Sequence, residues 1–312
     1  MITYLIIIPI FFAAMLGYFR IADHFNIIDK PNERSSHTSL VIRGGGIIYL
    51  VAALVAFFME PTSWAALLGL LIIGAISFLD DRMNISSRLR ILIHLIAVTL
   101  LFWMTNVYTI IPWYFIVMAY IFVIGIINAY NFMDGINGIT GLYSLVVLCG
   151  LAYINDYQVS FVHPDLIYLP IAATLVFLFF NFRKKAKCFA GDVGSVTIAF
   201  WLVWLLLSLM LKTNNLIYIL FLAVYGVDSV FTIIHRLIRK ENIFLAHRLH
   251  FYQILANDQK IPHLLVATVY ALIQLLIVVL IISTNLSWLA LAFISLLPLM
   301  LVYIVFKPRL MI

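Results

Sequence analysis

Apolar residues run along this chain in long blocks, and polar residues gather in the short breaks between them. A helix that crosses a bilayer needs about 20 mainly apolar residues. That template gives blocks at 2–21, 44–59, 63–79, 89–105, 109–127, 138–154, 165–182, 192–211, 215–235, 263–283 and 287–306. The second and third are short, and their join at "MEPTS" is tight. No internal repeat or low-complexity tract breaks the series, and no polar stretch is long enough for a soluble domain. The pattern predicts an all-α, polytopic integral membrane protein of about eleven transmembrane helices, as a single membrane-embedded domain over 1–312.

Composition agrees. Of 312 residues, 65% are hydrophobic and 10% charged, against roughly half and a quarter in soluble domains. The first block, "MITYLIIIPIFFAAMLGYFR", has no basic lead and no small-residue cleavage site, which predicts a retained helix, not a signal peptide. Cys149 and Cys188 sit in or beside apolar runs without paired spacing, so neither a disulfide nor a metal framework is expected.

The charges add a direction. With eleven spans and the N-terminus outside, Lys212 alone among the 19 Lys and Arg falls in an outer break, as the positive-inside rule demands. The C-terminus is then inside. That rule does not sort acids, yet only Glu60, Asp156 and Asp165 of the 13 Asp and Glu fall outside. Asp80, Asp81, Asp134, Asp192 and Asp228 all lie at or near inner helix ends, which predicts an active site on cytoplasmic loops.

Four inner stretches carry candidate chemistry. "FLDDR" places Asp80 and Asp81 side by side where an apolar block ends. Adjacent carboxylates suit a divalent cation, or a cation plus a proton acceptor; a charged loop start is the plain alternative. "NAYNFMDGINGITG" has no Lys or Arg, and Asn128, Asn131, Asp134 and Asn137 recur at spacing three, which on a helical turn makes one face. Gly135, Gly138 and Gly141 allow tight turns and close approach to backbone; helix capping and small-residue packing would explain them too. "FAGDVGS" sets Asp192 at a helix start, where free amides favour phosphate, behind the basic run "FRKKAK". An N-cap is the simpler reading. "AHRLHFYQ" spaces His247 and His250 three apart around Arg248. Zinc lacks a third ligand there, so these read as donors to a phosphate or as an interfacial segment. The first inner loop, "DHFNIIDKPNERSSHTSLVIRGGG", could cover such a site.

In this order, "DKPNERSSHT…RGGG", "FLDDR", "NAYNFMDGINGITG", "FAGDVGS" and "AHRLHFYQ" resemble the bacterial polyprenyl-phosphate N-acetylhexosamine-1-phosphate transferases, over most of the chain and closest in wording to the branch that starts O-antigen and related surface glycans. The resemblance implies a multi-pass enzyme of the bacterial inner membrane. It would transfer an amino-sugar 1-phosphate from a UDP-N-acetyl sugar to undecaprenyl phosphate, with UMP as the second product. It implies Mg²⁺ as cofactor, with Mn²⁺ as a substitute. By the same resemblance Asp80 is the base or orienter for the lipid phosphate and Asp81 assists. Asp192 binds the metal. Asn131, Asp134, Gly135, Asn137 and Phe189 lie on the nucleotide side, and His247, Arg248 and His250 meet phosphates or sugar. Membrane lipids and a second copy, as a homodimer, are the implied partners; no nucleic acid is. N-acetylglucosamine, N-acetylfucosamine and N-acetylquinovosamine all fit as donor sugar. The chain departs from the family in carrying Asn137 where better-known relatives have Asp, and "SLVI" where prolines usually precede "RGGG". Direct attack and a covalent aspartyl-phosphate step both remain open. A transporter using the inner-face carboxylates for ion coupling is the main alternative, but it should show paired halves, and the halves of this chain do not match.

Overall fold

The structure is a computed structural model describing residues 2–29, 40–83, 85–242 and 247–310. Its α-helices are α1 (Ile2–His24), α2 (Ile47–Met59), α3 (Trp64–Met83), α4 (Ser87–Met104), α5 (Val107–Ile110), α6 (Trp113–Phe132), α7 (Ile139–Tyr157), α8 (Asp165–Asn181), α9 (Gly191–Thr213), α10 (Ala223–Ile238), α11 (Phe251–Gln253), α12 (His263–Ser283), α13 (Trp288–Val305) and α14 (Lys307–Leu310). A two-residue pair, β1 (Ile28–Asp29) and β2 (Val41–Ile42), runs antiparallel at the foot of α1. The proposed cover for the site falls mostly on 30–39, outside the described residues.

Each of the eleven apolar blocks lands on a helix. Nine helices among the described residues are long and apolar enough to cross a membrane. The other two, α2 and α8, have 13 and 17 residues. At 1.5 Å per residue they reach about 20 and 25 Å, short of a hydrocarbon core of about 30 Å. Helix ends follow local chemistry. Pro112, Pro164 and Pro262 sit at the N-caps of α6, α8 and α12, where a missing N–H breaks no helical bond. Ser86 and Ser287 cap α4 and α13 by accepting from the Leu89 and Ala290 amides.

Three block boundaries differ from the sequence reading. The third block runs on to Met83, so Asp80 and Asp81 are in the last turn of α3 and not in a loop. The second starts at Ile47 because Gly44, Gly45 and Gly46 form a turn that leads into it. The ninth is broken: a 3₁₀ segment, Leu216–Leu222, precedes α10. Gln274, fully buried on α12, repairs that break. Its side chain donates to the Leu220 carbonyl (3.0 Å) and accepts from the Val224 amide (3.2 Å) and the Tyr143 hydroxyl (2.6 Å). A buried side-chain amide is tolerated in a membrane helix when it satisfies backbone groups in this way.

The centre of the bundle is α9. Within its most apolar stretch 83% of residues are buried, against 17% for α6 and 22% for the last span. It packs against α2, α3, α6 and α7. The first turn of α9 carries Asp192, so the core helix delivers that carboxylate to one end of the bundle, among neighbours that already converge there.

Candidate active site

Glycines bring the first two pieces together. The Gly45 amide donates to the Phe189 carbonyl (2.7 Å), the Gly46 amide to that of Ala190 (3.0 Å), and the Phe189 amide to that of Ile42 (2.9 Å). The turn at "RGGG", continuing from the Ile42–Cys188 bridge, therefore docks along "CFA", immediately before α9. A Cβ at Gly46 would overlap Gly194 Cα, and one at Gly45 would overlap the Cys188 sulfur. These glycines exist for contact between segments, not as mere loop punctuation.

Asp81 closes the same joint. Its carboxylate accepts from the backbone amides of Asp192 (3.0 Å) and Val193 (3.1 Å), and from Arg43 Nε at 2.9 Å. The side chain is wholly buried. Gly191, at φ +69°, leaves room for it, because a Cβ there would lie 2.6 Å from Asp81 Oδ2. Asp81 is thus the cap of α9. Its oxygens are committed to three donors, so any part it takes in the chemistry is through holding the first turn of α9.

Asp80 points elsewhere. One oxygen accepts from the Ile85 amide (2.7 Å), and the other from Arg90 Nη1 (2.7 Å). The same Arg90 nitrogen lies 3.9 Å from Asp192 Oδ2. That long contact is the only ion pair of Asp192 among the described residues, and a quarter of its side chain is exposed. Asp80 and Asp192 therefore flank one guanidinium, and Asp192 keeps lone pairs open. A carboxylate with open lone pairs beside a second one is a donor set that suits Mg²⁺ together with phosphate oxygens.

The stretch 128–141 does not form the single face that its spacing suggested. The helix α6 ends at Phe132, so only Asn128 and Asn131 are helical. Asn128 donates to the Ile124 carbonyl of its own helix. Asn131 accepts from Ser195 on α9 (2.7 Å), which puts it one turn from Asp192. Asp134 accepts from Thr140 (2.6 Å). Burial pushes its carboxyl up to about 6, with the charge of Asp81 acting the same way and the Thr140 hydrogen bond opposing. Asn137 is buried and its side-chain N–H donates to the Arg183 carbonyl (2.8 Å), so it anchors the basic segment. A Cβ at Gly135 would overlap the Tyr252 hydroxyl, so that glycine yields to a side chain, not to a ligand. Polar groups this deep must be paired, and chain spacing could not say with what. Phe189 is half-buried with both backbone groups in the "RGGG" joint. Lys184, Lys185 and Lys187 are exposed next to it.

The histidine segment closes the other side. The Tyr252 hydroxyl donates to the Phe132 carbonyl at 2.9 Å, which places this segment against the end of α6. The His247 and His250 rings lie 5.0 Å apart. His247 accepts from the Leu249 amide. Burial pulls its ring down to about 4, helped by His250, Arg236 and Lys307, so it is neutral at physiological pH. Arg236 bonds Glu241 and the Asn242 carbonyl, while Asp228 faces His250.

The structure therefore gathers all the predicted site residues at one end of the bundle, by interlocking contacts. It adds Arg43, Arg90 and Ser195. Arg43 and Ser195 stand inside the motifs "RGGG" and "FAGDVGS", and Arg90 is a charge inside an apolar block. Among the described residues one other grouping could hold a cation, Glu60, His163 and Asp165. It precedes α3 and α8, whereas Asp80 ends α3, so it lies at the opposite end and has no part in this site.

Comparison with known proteins agrees with this grouping. Residues 63–210 match the family described as Glycosyl transferase family 4, a span that takes in Asp80, Asp134 and Asp192 but not the histidine segment. A probable undecaprenyl-phosphate N-acetylglucosaminyl 1-phosphate transferase of Bacillus subtilis (strain 168) is 29% identical over 273 residues, covering 81% of this chain and 74% of that protein. An undecaprenyl-phosphate alpha-N-acetylglucosaminyl 1-phosphate transferase of Yersinia pestis is 31% identical over 232 residues, 67% of this chain and 62% of that protein. A phospho-N-acetylmuramoyl-pentapeptide-transferase of Listeria welshimeri is 23% identical over 199 residues, 54% of this chain and 60% of its own length. The chain thus spans about three fifths of the latter two.

Proposed function

As a member of glycosyl transferase family 4, the chain belongs among the polyprenyl-phosphate hexosamine-1-phosphate transferases, and we propose that it transfers N-acetylglucosamine 1-phosphate from a UDP-sugar to undecaprenyl phosphate. The observation that carries this reading is the joint of Asp80, Arg90 and Asp192, held in place by the Asp81 cap. We assign that end of the bundle to the cytoplasm, with eleven spans and the N-terminus outside, on the one-sided distribution of Lys and Arg. The first step of a bacterial surface glycan, such as an O-antigen, is the matching role.

In this reading an oxygen of the lipid phosphate attacks the β-phosphorus of the UDP-sugar. A new P–O bond forms, the bond to the bridging oxygen breaks, and the electron pair leaves with UMP. The lipid phosphate is already anionic, so positioning and charge neutralisation carry most of the catalysis. Asp80 orients the attacking phosphate through Arg90, which it already holds. Asp134 and Asn131 border the donor side. The exposed lysines beside Phe189 meet the nucleotide phosphates. Arg248 and His250 meet the pyrophosphate from the opposite wall. Asp192, with Asp80, would hold Mg²⁺, or Mn²⁺ in its place, which when bound neutralises charge on the phosphate oxygens. An apolar crevice of about 680 Å³ lies between α6, the 3₁₀ segment and the ends of α4 and α9 remote from Asp80 and Asp192, so only the distal part of the polyprenyl chain would reach it.

The test uses sealed vesicles of both orientations with undecaprenyl phosphate, Mg²⁺ and a panel of UDP-N-acetyl sugars. UMP release is expected with UDP-N-acetylglucosamine, and only where the proposed inner face is exposed to the medium. Release with another sugar would move the donor assignment. Release from the opposite orientation would reverse the topology, and none at all would overturn the reaction.

Asp134 gives the reaction a pH signature. Its carboxyl titrates near 6 in the folded protein, so its charge is lost as pH falls from about 7 to about 5. Turnover is expected to fall over that window. In Asp134→Asn the group is neutral throughout, so turnover at pH 7.5 should drop toward the acid level of the wild type and that limb should flatten. An unchanged limb would remove Asp134 from the machinery.

A further inference from the structure

Asp228 is wholly buried on α10, nearly three turns from the C-terminal end of that helix, and the reaction described above leaves it without a task. A buried carboxylate is costly unless it is fully paired. Here it is surrounded by donors. Oδ1 accepts from the Phe251 amide (3.0 Å) and the Thr232 hydroxyl (3.3 Å), and Oδ2 from the Tyr270 hydroxyl (2.8 Å) and the Tyr252 amide (3.4 Å). Oδ1 also lies 3.2 Å from His250 Nδ1. A carboxylate so placed only accepts, so the proton of that contact sits on Nδ1.

The other ring nitrogen is the unusual one. His250 Nε2 is buried and has no hydrogen-bond partner among the described residues. The Nε and Nη2 atoms of Arg248, two residues earlier, are in the same condition. Buried polar groups are nearly always paired. Unpaired ones, two residues apart and beside the end of α6, mark a place that an acceptor completes. The ring of Phe132, the last residue of α6, is 6.3 Å from the ring of His250. The remaining titratable and charged groups around the pair are Arg236 on α10, Tyr303 on α13, Lys307 on α14, and His247 and Tyr252 in the segment itself. None of them hydrogen-bonds Nε2.

We propose that Asp228 is a positioning residue for His250: its carboxylate takes the Nδ1–H, fixes the ring, and leaves Nε2 beside Arg248 to meet an anionic oxygen of the substrate pyrophosphate. This rests on the transferase reading and assigns a further residue to it. A histidine ring oriented by a buried carboxylate is a recurrent way of fixing which nitrogen faces the ligand. Here the carboxylate comes from a spanning helix and the histidine from a surface segment. Asp228 therefore also sets how far that segment folds over the site. Lys307 braces the arrangement from α14 by donating to Thr232 (2.7 Å), the residue that bonds Asp228.

A double-mutant cycle tests this. UMP release is measured for wild type, Asp228→Asn, His250→Gln and the double variant, with thermal midpoints for each. Working wild-type protein is the control that separates failure of this inference from failure of the transferase reading. Each single variant is expected to lose about 10- to 100-fold in turnover. The double variant should lose no more than His250→Gln alone, since Asp228 acts through that ring. Losses that multiply would show Asp228 acting independently of His250 and overturn the proposal. Should Asp228→Asn fail to fold, ¹⁵N-histidine NMR of the wild-type protein decides, with His250→Gln identifying the resonance. A proton on Nδ1 is the expected result. A bare Nδ1 with Nε2 protonated would overturn it.

Discussion

Asp192→Asn is expected to lower UMP release about 100- to 1,000-fold, in the range for loss of one charge-stabilising group in an active site, while the protein keeps its thermal midpoint. The two parts of that expectation have separate causes. The Asp192 side chain supports nothing in the fold: its ion pair is a long one, 3.9 Å to Arg90. The backbone amide that Asp81 caps is untouched by the change. Asparagine matches the shape and removes the charge, so a loss of turnover at constant stability reports on that charge alone. Asp80→Asn should lose turnover to a similar degree, with a small stability cost, because it weakens the 2.7 Å pair with Arg90. Chelation of divalent metal should stop wild-type turnover reversibly. Wild-type release from Asp192→Asn would remove this carboxylate from the mechanism, and full activity in chelator would remove the metal.

The two sequence signals behind these expectations differ in kind. Apolar block length and the one-sided distribution of Lys and Arg need no knowledge of packing. They located the helices within a few residues, and they put Asp80, Asp134 and Asp192 at the same end of the bundle. What they could not supply was the partner of each polar group. Asp81 looked like the twin of Asp80, but its partners lie 111 and 112 residues away in the chain, at the start of α9. The side-chain N–H of Asn137 goes to the Arg183 carbonyl, 46 residues on, a partner its spacing does not indicate. Spacing of three along "NAYNFMDGIN" predicted a shared face only if the helix continued, and it stops at Phe132. In each case a nearby pattern was legible and a distant hydrogen bond decided the role. Asp228 is the extreme example. Its place near an inner helix end groups it with the other acids, but only the folded position of His250 gives it a function.

Gly46→Ala should show the opposite behaviour to Asp192→Asn, losing stability and turnover together. The added Cβ would overlap Gly194 Cα and come within 2.8 Å of the Ala190 carbonyl oxygen. Both obstacles are backbone, so no side-chain rotation relieves them, and either α2 or the first turn of α9 must move. Overpacking of this kind costs about 1–3 kcal/mol. The movement matters because the entry to α2 is bonded to the residues just before α9, Phe189 and Ala190, through Gly45 and Gly46. The next turn carries Asp192 and the amides that hold Asp81. A shift of α9 therefore displaces the open carboxylate relative to Asp80, which is fixed to α3. Gly125→Ala on α6 is the matched control: a Cβ there meets nothing within 4 Å, and it should leave midpoint and turnover unchanged. A Gly46→Ala protein with full stability and turnover would show that the α2–α9 contact does not set the site. A fall in the midpoint with full turnover would show that the carboxylates are held by the Asp81 cap alone. A joint fall, beside the pure catalytic loss in Asp192→Asn, would show that one glycine contact clamps both the fold and the geometry of the site.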